Sequence, residues 1–403
     1  MGVRSHIPAG FTTIDGELGI AGRAASYWVH EAGDTPLFVY DRALIAARIA
    51  AVRAALPSEV ALHYALKANP LPALVEWMGG QVDGLDVASG GELALALASG
   101  MQPRDIGFAG PGKRDDELRA AIAAGVLINV ESAGELERIA ALGGRVVALR
   151  LNPSFELKGS GMRMGGRASP FGIDVADAPA VVARAAELGV RVTGLHVYAG
   201  SQALSAAAVI ESQAATLVMA AELVAATGVQ LETLNLGGGF GIPYFTNDLP
   251  LDLAAVGEAL SASLATLPAG LRDTRIIVEL GRYLVGEAGV YLARVVDRKV
   301  SRGTEFIVTD GGLHHQLAAS GNFGTVIRRN YPIANASHFG ADAVMTADVV
   351  GCLCTPLDRL GERVALPDTQ VGDLIAIFMA GAYGASASPA AFLGHPPARE
   401  LLV

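Results

Sequence analysis

The sequence predicts an α/β fold, a (β/α)8 barrel joined to a second, mostly β domain. Three observations predict it. Eight short apolar runs alternate with Ala-rich helical stretches over about 220 residues. Near residue 284 that alternation stops, and strand-like runs follow with few helices between them. The length of 403 residues exceeds one ordinary core.

In chain order, the first 33 residues hold Tyr27, Trp28 and His30, are followed by a turn at 34–36, and are assigned to the second domain. Barrel strands are expected at 60–66, 82–87, 106–109, 127–130, 146–151, 192–197, 231–236 and 275–280. Helices are expected between them at 72–78, 91–98, 115–124, 133–142, 176–188, 206–226 and 253–264. Apolar residues at helical spacing, such as Leu93, Ala94 and Leu97, read as core contacts. Later strands are expected at 290–300, 304–308, 343–350, 370–377 and 400–403. The expected domains are therefore 34–283 for the barrel, and 1–33 with 284–403 for the β domain. An open doubly wound sheet fits this pattern less well.

Composition narrows the function. Hydrophobic residues make up 51% and the net charge is -10, which argues against nucleic acid as a partner. No apolar stretch reads as long enough to cross a bilayer, and no signal segment opens the chain. Cys352 and Cys354 lie two apart, a closeness that does not suggest a structural disulfide, and have no ligand candidates beside them in sequence. A reducing cytoplasm is the expected compartment and no metal is expected.

Lys67 carries the chemistry. It ends an apolar run in Tyr64-Ala65-Leu66-Lys67-Ala68-Asn69-Pro70, in a chain with four lysines and 26 arginines. A partly desolvated lysine can lose its proton and attack a carbonyl, whereas arginine keeps its proton. A snorkelling lysine at a strand end would look the same on this segment alone.

Polar residues recur where each barrel strand ends, the rim on which barrel chemistry collects. Asp86, Ser89 and Glu92 follow the second strand, Glu131 the fourth, Arg150 and Asn152 the fifth. His196, Ser201 and Gln202 follow the sixth, Gly237-Gly238-Gly239-Phe240-Gly241 the seventh, and Glu279-Leu280-Gly281-Arg282 the eighth. The glycines offer bare N–H groups to a phosphate, or form only a tight turn. Arg282 adds a charged fork from a neighbouring strand. A nucleophilic lysine with a phosphate cradle suggests pyridoxal 5′-phosphate. Glu279 could pair with its ring nitrogen, His196 could stack on its ring, and Cys354 could donate a proton. The plainer readings are a surface ion pair, a core histidine and a small buried hydrophobe.

At these residues the chain resembles the fold-type III pyridoxal-phosphate decarboxylases, the diaminopimelate and ornithine decarboxylase family with its alanine racemase-like barrel. The matching motifs run in order from about residue 35 to the end. They include Gly84-Leu85-Asp86-Val87-Ala88-Ser89, Gly194-Leu195-His196, Gly200-Ser201-Gln202, Thr309-Asp310-Gly311, Gly351-Cys352-Leu353-Cys354 and Gly381-Ala382-Tyr383-Gly384, beside those already named. The resemblance implies that Lys67 holds the cofactor covalently and His196 stacks on it. Ser201, Gly238, Gly239, Arg282 and Tyr383 would hold the phosphate, Glu279 the ring nitrogen, and Asp86 and Arg150 would support the set. Asp310 would come near the substrate. Cys354 would arrive from the other subunit of a homodimer with shared active sites.

The substrate-reading segment departs from that family, where a carboxylate follows the cysteine. Here the run is Cys354-Thr355-Pro356-Leu357-Asp358. Asp358 is a candidate to compensate for the neutral Thr355. This run, Glu279–Tyr283 and Phe392-Leu393-Gly394-His395-Pro396 are more similar to two bacterial subgroups. One is encoded with exosortase and exopolysaccharide systems; the other is butirosin-type and acts on glutamyl groups tethered to a carrier protein. The resemblance thus implies an amino-acid or aminoacyl-carrier-protein substrate, with Arg328 and Arg329 as candidates for a basic rim. The rival readings are an amino-acid racemase of the same fold and an inactive homologue. Glu279 argues against the first, and Lys67, Glu279, Arg282 and Cys354 together argue against the second.

Overall fold

A computed structural model describes residues 7–155, 162–163, 168–321 and 329–403. The chain forms two compact units. One comprises Ile49–Ile242 and Pro250–Tyr283; the other comprises Met1–Arg48, Pro243–Leu249 and Leu284–Val403.

The first unit is a closed barrel of eight parallel strands. These are β1 (Ala61–Ala65), β2 (Gly84–Val87), β3 (Ile106–Phe108), β4 (Leu127–Val130), β5 (Val146–Asn152), β6 (Arg191–Val197), β7 (Thr233–Asn235) and β8 (Arg275–Leu280). Each pairs with the next, and β8 closes on β1 with Glu279 opposite His63. The strands are short and almost wholly buried, because side chains fill the inside and helices cover the outside. Those helices are α1 (Pro72–Met78), α2 (Gly90–Ala98), α3 (Asp115–Ala124), α4 (Ala133–Ala141), α5 (Ala178–Glu187), α6 (Ala206–Thr227), α7 (Leu253–Ala265) and the short α8 (Arg282–Val285).

Local sequence explains where these helices begin. Ser89, Ser132, Ser205 and Asp252 each accept a hydrogen bond from the backbone N–H three residues on, capping α2, α4, α6 and α7. Gly125 and Gly228 end α3 and α6 in the left-handed conformation. α6 corrects one expectation. At 22 residues and mean hydropathy 1.4 it is long and apolar enough to cross a membrane. Here it is a barrel helix that buries one face, including Val209, Leu217, Met219 and Leu223.

The second unit is mostly β. Its strands include β9 (Gly289–Ser301), β10 (Thr304–Thr309), β11 (Met345–Val350), β12 (Arg359–Leu366) and β13 (Leu374–Ile377). Residues 34–48, expected in the barrel domain, belong here instead. Their strand Leu37–Tyr40 pairs antiparallel with β9 and parallel with Arg399–Leu402. β13 starts later than expected because Asp373 Oδ2 accepts the Gln370 N–H and Gly372 takes φ 100°, closing a turn at 370–373.

Candidate active site

Lys67 stands one step past its expected strand. β1 stops at Ala65, and Lys67 lies in a 3-10 turn, Leu66–Ala68. Pro70 keeps Asn69 extended, and the Tyr64 hydroxyl donates to Asn69 O at 2.8 Å, so the turn is tied back to the strand. Lys67 Nζ lies 3.8 Å from Glu279 Oε1 and 4.7 Å from the centre of the Tyr198 ring. Its side chain is 40% exposed and that of Glu279 is 4% exposed. An accessible amine therefore stands beside a buried carboxylate.

Glu279 is fixed from its other side. Oε2 is 3.0 Å from His196 Nε2 and accepts from Asn235 Nδ2 at 3.3 Å. Burial alone would push this carboxyl up. The His196 contact, together with the Lys67 and Arg150 cations, outweighs burial and holds it well below the usual carboxylate range. A group with a depressed folded pKa stabilises the fold above its unfolded value, here near 4.5, and that contribution fades as pH falls toward the folded value. The stability difference between wild type and Glu279→Gln should thus shrink as the pH is lowered from about 6 to about 3. Urea midpoints at a series of pH values check this; a constant difference would contradict it.

The glycine segment after β7 is built for close approach. Gly237 and Gly239 have φ 70° and 76°. Gly237 N–H donates to Asn235 Oδ1 at 2.8 Å, and Glu279 N–H donates to Gly237 O at 2.9 Å. Gln202 clamps the far end, accepting from Ile242 N–H at 3.2 Å and donating to Ile242 O at 2.6 Å. A Cβ on Gly238 would stand 1.8 Å from the Glu279 carbonyl oxygen and 3.0 Å from Leu280 Cδ2. Gly238→Ala should cost about 2–4 kcal/mol and loosen cofactor binding. Gly257→Ala is the control, since its Cβ would meet Ala55 O at 1.8 Å, away from the rim. It should destabilise the protein yet leave cofactor affinity alone, as thermal melts and equilibrium dialysis would show. Ser201 is buried in the strand Gly200–Ser201, which pairs with Met162–Arg163. Arg282 opens α8 directly after β8.

Asp86 and Arg150 were expected to support the set and are held by partners that the sequence did not pair with them. Asp86 Oδ2 lies 3.0 Å from His63 Nδ1, and Arg150 Nη1 lies 2.7 Å from Glu131 Oε1. Asn235, Tyr198 and His63 were not anticipated. Asn235 had a readable signal, an Asn two residues before a glycine, which favours a side-chain-closed turn.

In the β-rich unit, Cys354 is exposed on the loop between β11 and β12. Asp358 is buried, and its two oxygens accept the Leu313 and Leu353 N–H groups at 2.7 and 2.8 Å, which holds the loop. Asp310 is likewise engaged, accepting from Thr35 Oγ1 at 2.5 Å and Arg294 N–H at 2.8 Å. Thr355 accepts from Leu357 N–H at 3.3 Å. Tyr383 adopts φ 53° between Gly381 and Gly384. Arg328 lies outside the described residues. Arg329 stacks its guanidinium 5.0 Å above the Phe245 ring.

A rim amine, a buried anionic carboxylate and a glycine cradle followed by an arginine together fit pyridoxal 5′-phosphate. Comparison with known proteins agrees. Residues 42–286 match the pyridoxal binding domain of the pyridoxal-dependent decarboxylases. The chain belongs to that family; it is a carboxy-lyase, and pyridoxal 5′-phosphate is its cofactor. It is 37% identical to the L-glutamyl-[BtrI acyl-carrier protein] decarboxylase of Niallia circulans, over 92% of this chain and 89% of that one. It is 32% identical to the diaminopimelate decarboxylase of Aquifex aeolicus, over 96% and 91%. The structure of the M. jannaschii diaminopimelate decarboxylase with L-lysine superposes with a TM-score of 0.87 at 28% identity, covering 98% and 93%. The racemase reading finds no support among these relatives.

Proposed function

We propose that this carboxy-lyase acts on an amino acid carried as a thioester by an acyl-carrier protein. The observation that carries the reading is the 37% identity to a decarboxylase named for such a substrate. Thr355 supports it. A thioester-linked acyl group has no free charge at its distal end, so a neutral residue after Cys354 suits it better than a carboxylate.

In this reading Lys67 holds the cofactor covalently, and His196 lies against its ring. Ser201, Gly238, Gly239 and Arg282, with Tyr383, hold the phosphate. Asp86 and Arg150 back the set through His63 and Glu131. Bound there, the cofactor supplies an electron sink for the pair left when the carboxylate departs as CO2. Glu279, kept anionic, holds a proton on the ring nitrogen. Cys354 of a second copy returns a proton to Cα, which makes the working enzyme a homodimer. The enzyme would work in the cytoplasm. A place in exopolysaccharide biosynthesis rests only on the likeness of the 279–283, 354–358 and 392–396 segments.

The test is CO2 release from glutamyl-loaded carrier protein beside free glutamate, ornithine and diaminopimelate. The carrier-bound substrate should exceed every free one in kcat/KM by at least about a hundredfold, or about 3 kcal/mol of differential binding. Efficient turnover of free diaminopimelate would replace this reading with the other one its relatives offer.

A further inference from the structure

His314, Cys352 and His395 are distant in sequence but lie together in the β-rich unit, their ligand atoms within 4.8 Å of one another. Cys352 Sγ is 3.9 Å from both ring nitrogens of His395, and the His314 and His395 ring centres are 5.1 Å apart. His314 is fully buried, yet neither of its ring nitrogens has a hydrogen-bond partner among the described residues. The adjacent His315 is different: Nδ1 lies 3.0 Å from the Tyr291 hydroxyl and Nε2 lies 2.9 Å from Pro396 O. A buried imidazole with both nitrogens unfilled is costly, and such groups usually have a partner.

We infer that the protein binds a zinc ion between His314, Cys352 and His395, with solvent as the fourth ligand. One thiolate and two imidazoles are a donor set suited to zinc. Tetrahedral coordination with ordinary Zn–S and Zn–N lengths sets the sulfur–nitrogen separation at about 3.6 Å. The Cys352–His395 pair needs to close by only a few tenths of an ångström. Cys352 and His395 are half-buried, so solvent reaches the fourth position. The present contact of Cys352 is weak, an S–H donated to Asp310 O at 3.4 Å, and the metal would displace that proton. The Asp310 and Asp358 carboxylates are committed to other donors, so they favour the cation through charge and not as ligands. The sequence showed two cysteines without ligand neighbours; the fold supplies both histidines. An ion here would also tether the loop that carries Cys354, two residues along.

The full-length holoenzyme is equilibrated with zinc, gel-filtered and assayed for metal by mass spectrometry, with a parallel Co2+ loading. About one zinc per chain should remain in wild type and in Cys354→Ser, falling at least about tenfold in Cys352→Ser and His395→Ala. Co2+-loaded wild type should show the intense red-region d–d bands of four-coordinate cobalt, lost in Cys352→Ser. Both variants alter half-buried side chains, and circular dichroism confirms their folding. Wild type that retains no metal, or metal retained equally by Cys352→Ser and His395→Ala, overturns the inference.

Discussion

Lys67→Ala should abolish CO2 release, lowering kcat by about four orders of magnitude or more. The variant should also lose the covalent cofactor link, read as the absence of a pyridoxyl-lysine peptide after borohydride reduction. The reasoning rests on placement. Lys67 is exposed enough to meet a cofactor, and it sits 3.8 Å from a carboxylate that stays anionic. Lys67→Arg separates nucleophile from charge. Arginine preserves the attraction to Glu279 but keeps its proton, so it should fail as completely as alanine. Turnover restored by arginine would reduce Lys67 to an ion-pair partner and remove the covalent link from the mechanism.

Cys354→Ala should lower kcat by about a hundredfold to a thousandfold, the usual worth of a placed proton donor, with little change in cofactor binding. A second measurement reads subunit sharing. Mixing inactive Lys67→Ala with inactive Cys354→Ala under exchange should restore about a quarter of wild-type activity. Random reassociation makes half the dimers mixed, and each mixed dimer rebuilds one of its two sites. No recovery, with exchange demonstrated by mass, would place amine and thiol on one chain and sink the shared site.

The barrel was legible because each strand is a short apolar run punctuated by turn residues and followed by a helical period. Periodicity reports burial, and burial is what a barrel strand has on both faces. The rim residues were legible for a related reason: strand ends convert sequence order into spatial neighbourhood. Side-chain pairing was not legible. Nothing in the spacing says that Asp86 faces His63, or that both oxygens of Asp358 are taken by backbone N–H groups 45 and five residues away. These contacts depend on register between strands and on loop closure, which a local pattern does not encode. The strand Leu37–Tyr40 was hidden similarly. Its partners are β9 and Arg399–Leu402, hundreds of residues downstream.

That last pairing bears on synthesis at the ribosome. Residues 49–283 can gather their barrel strands from neighbours in the order they emerge. Leu37–Tyr40 is made early and must wait beside an incomplete sheet until Arg399–Leu402 leaves the exit tunnel. A strand with an open edge for so long invites pairing with other nascent chains, so chaperone demand during translation should centre on this segment.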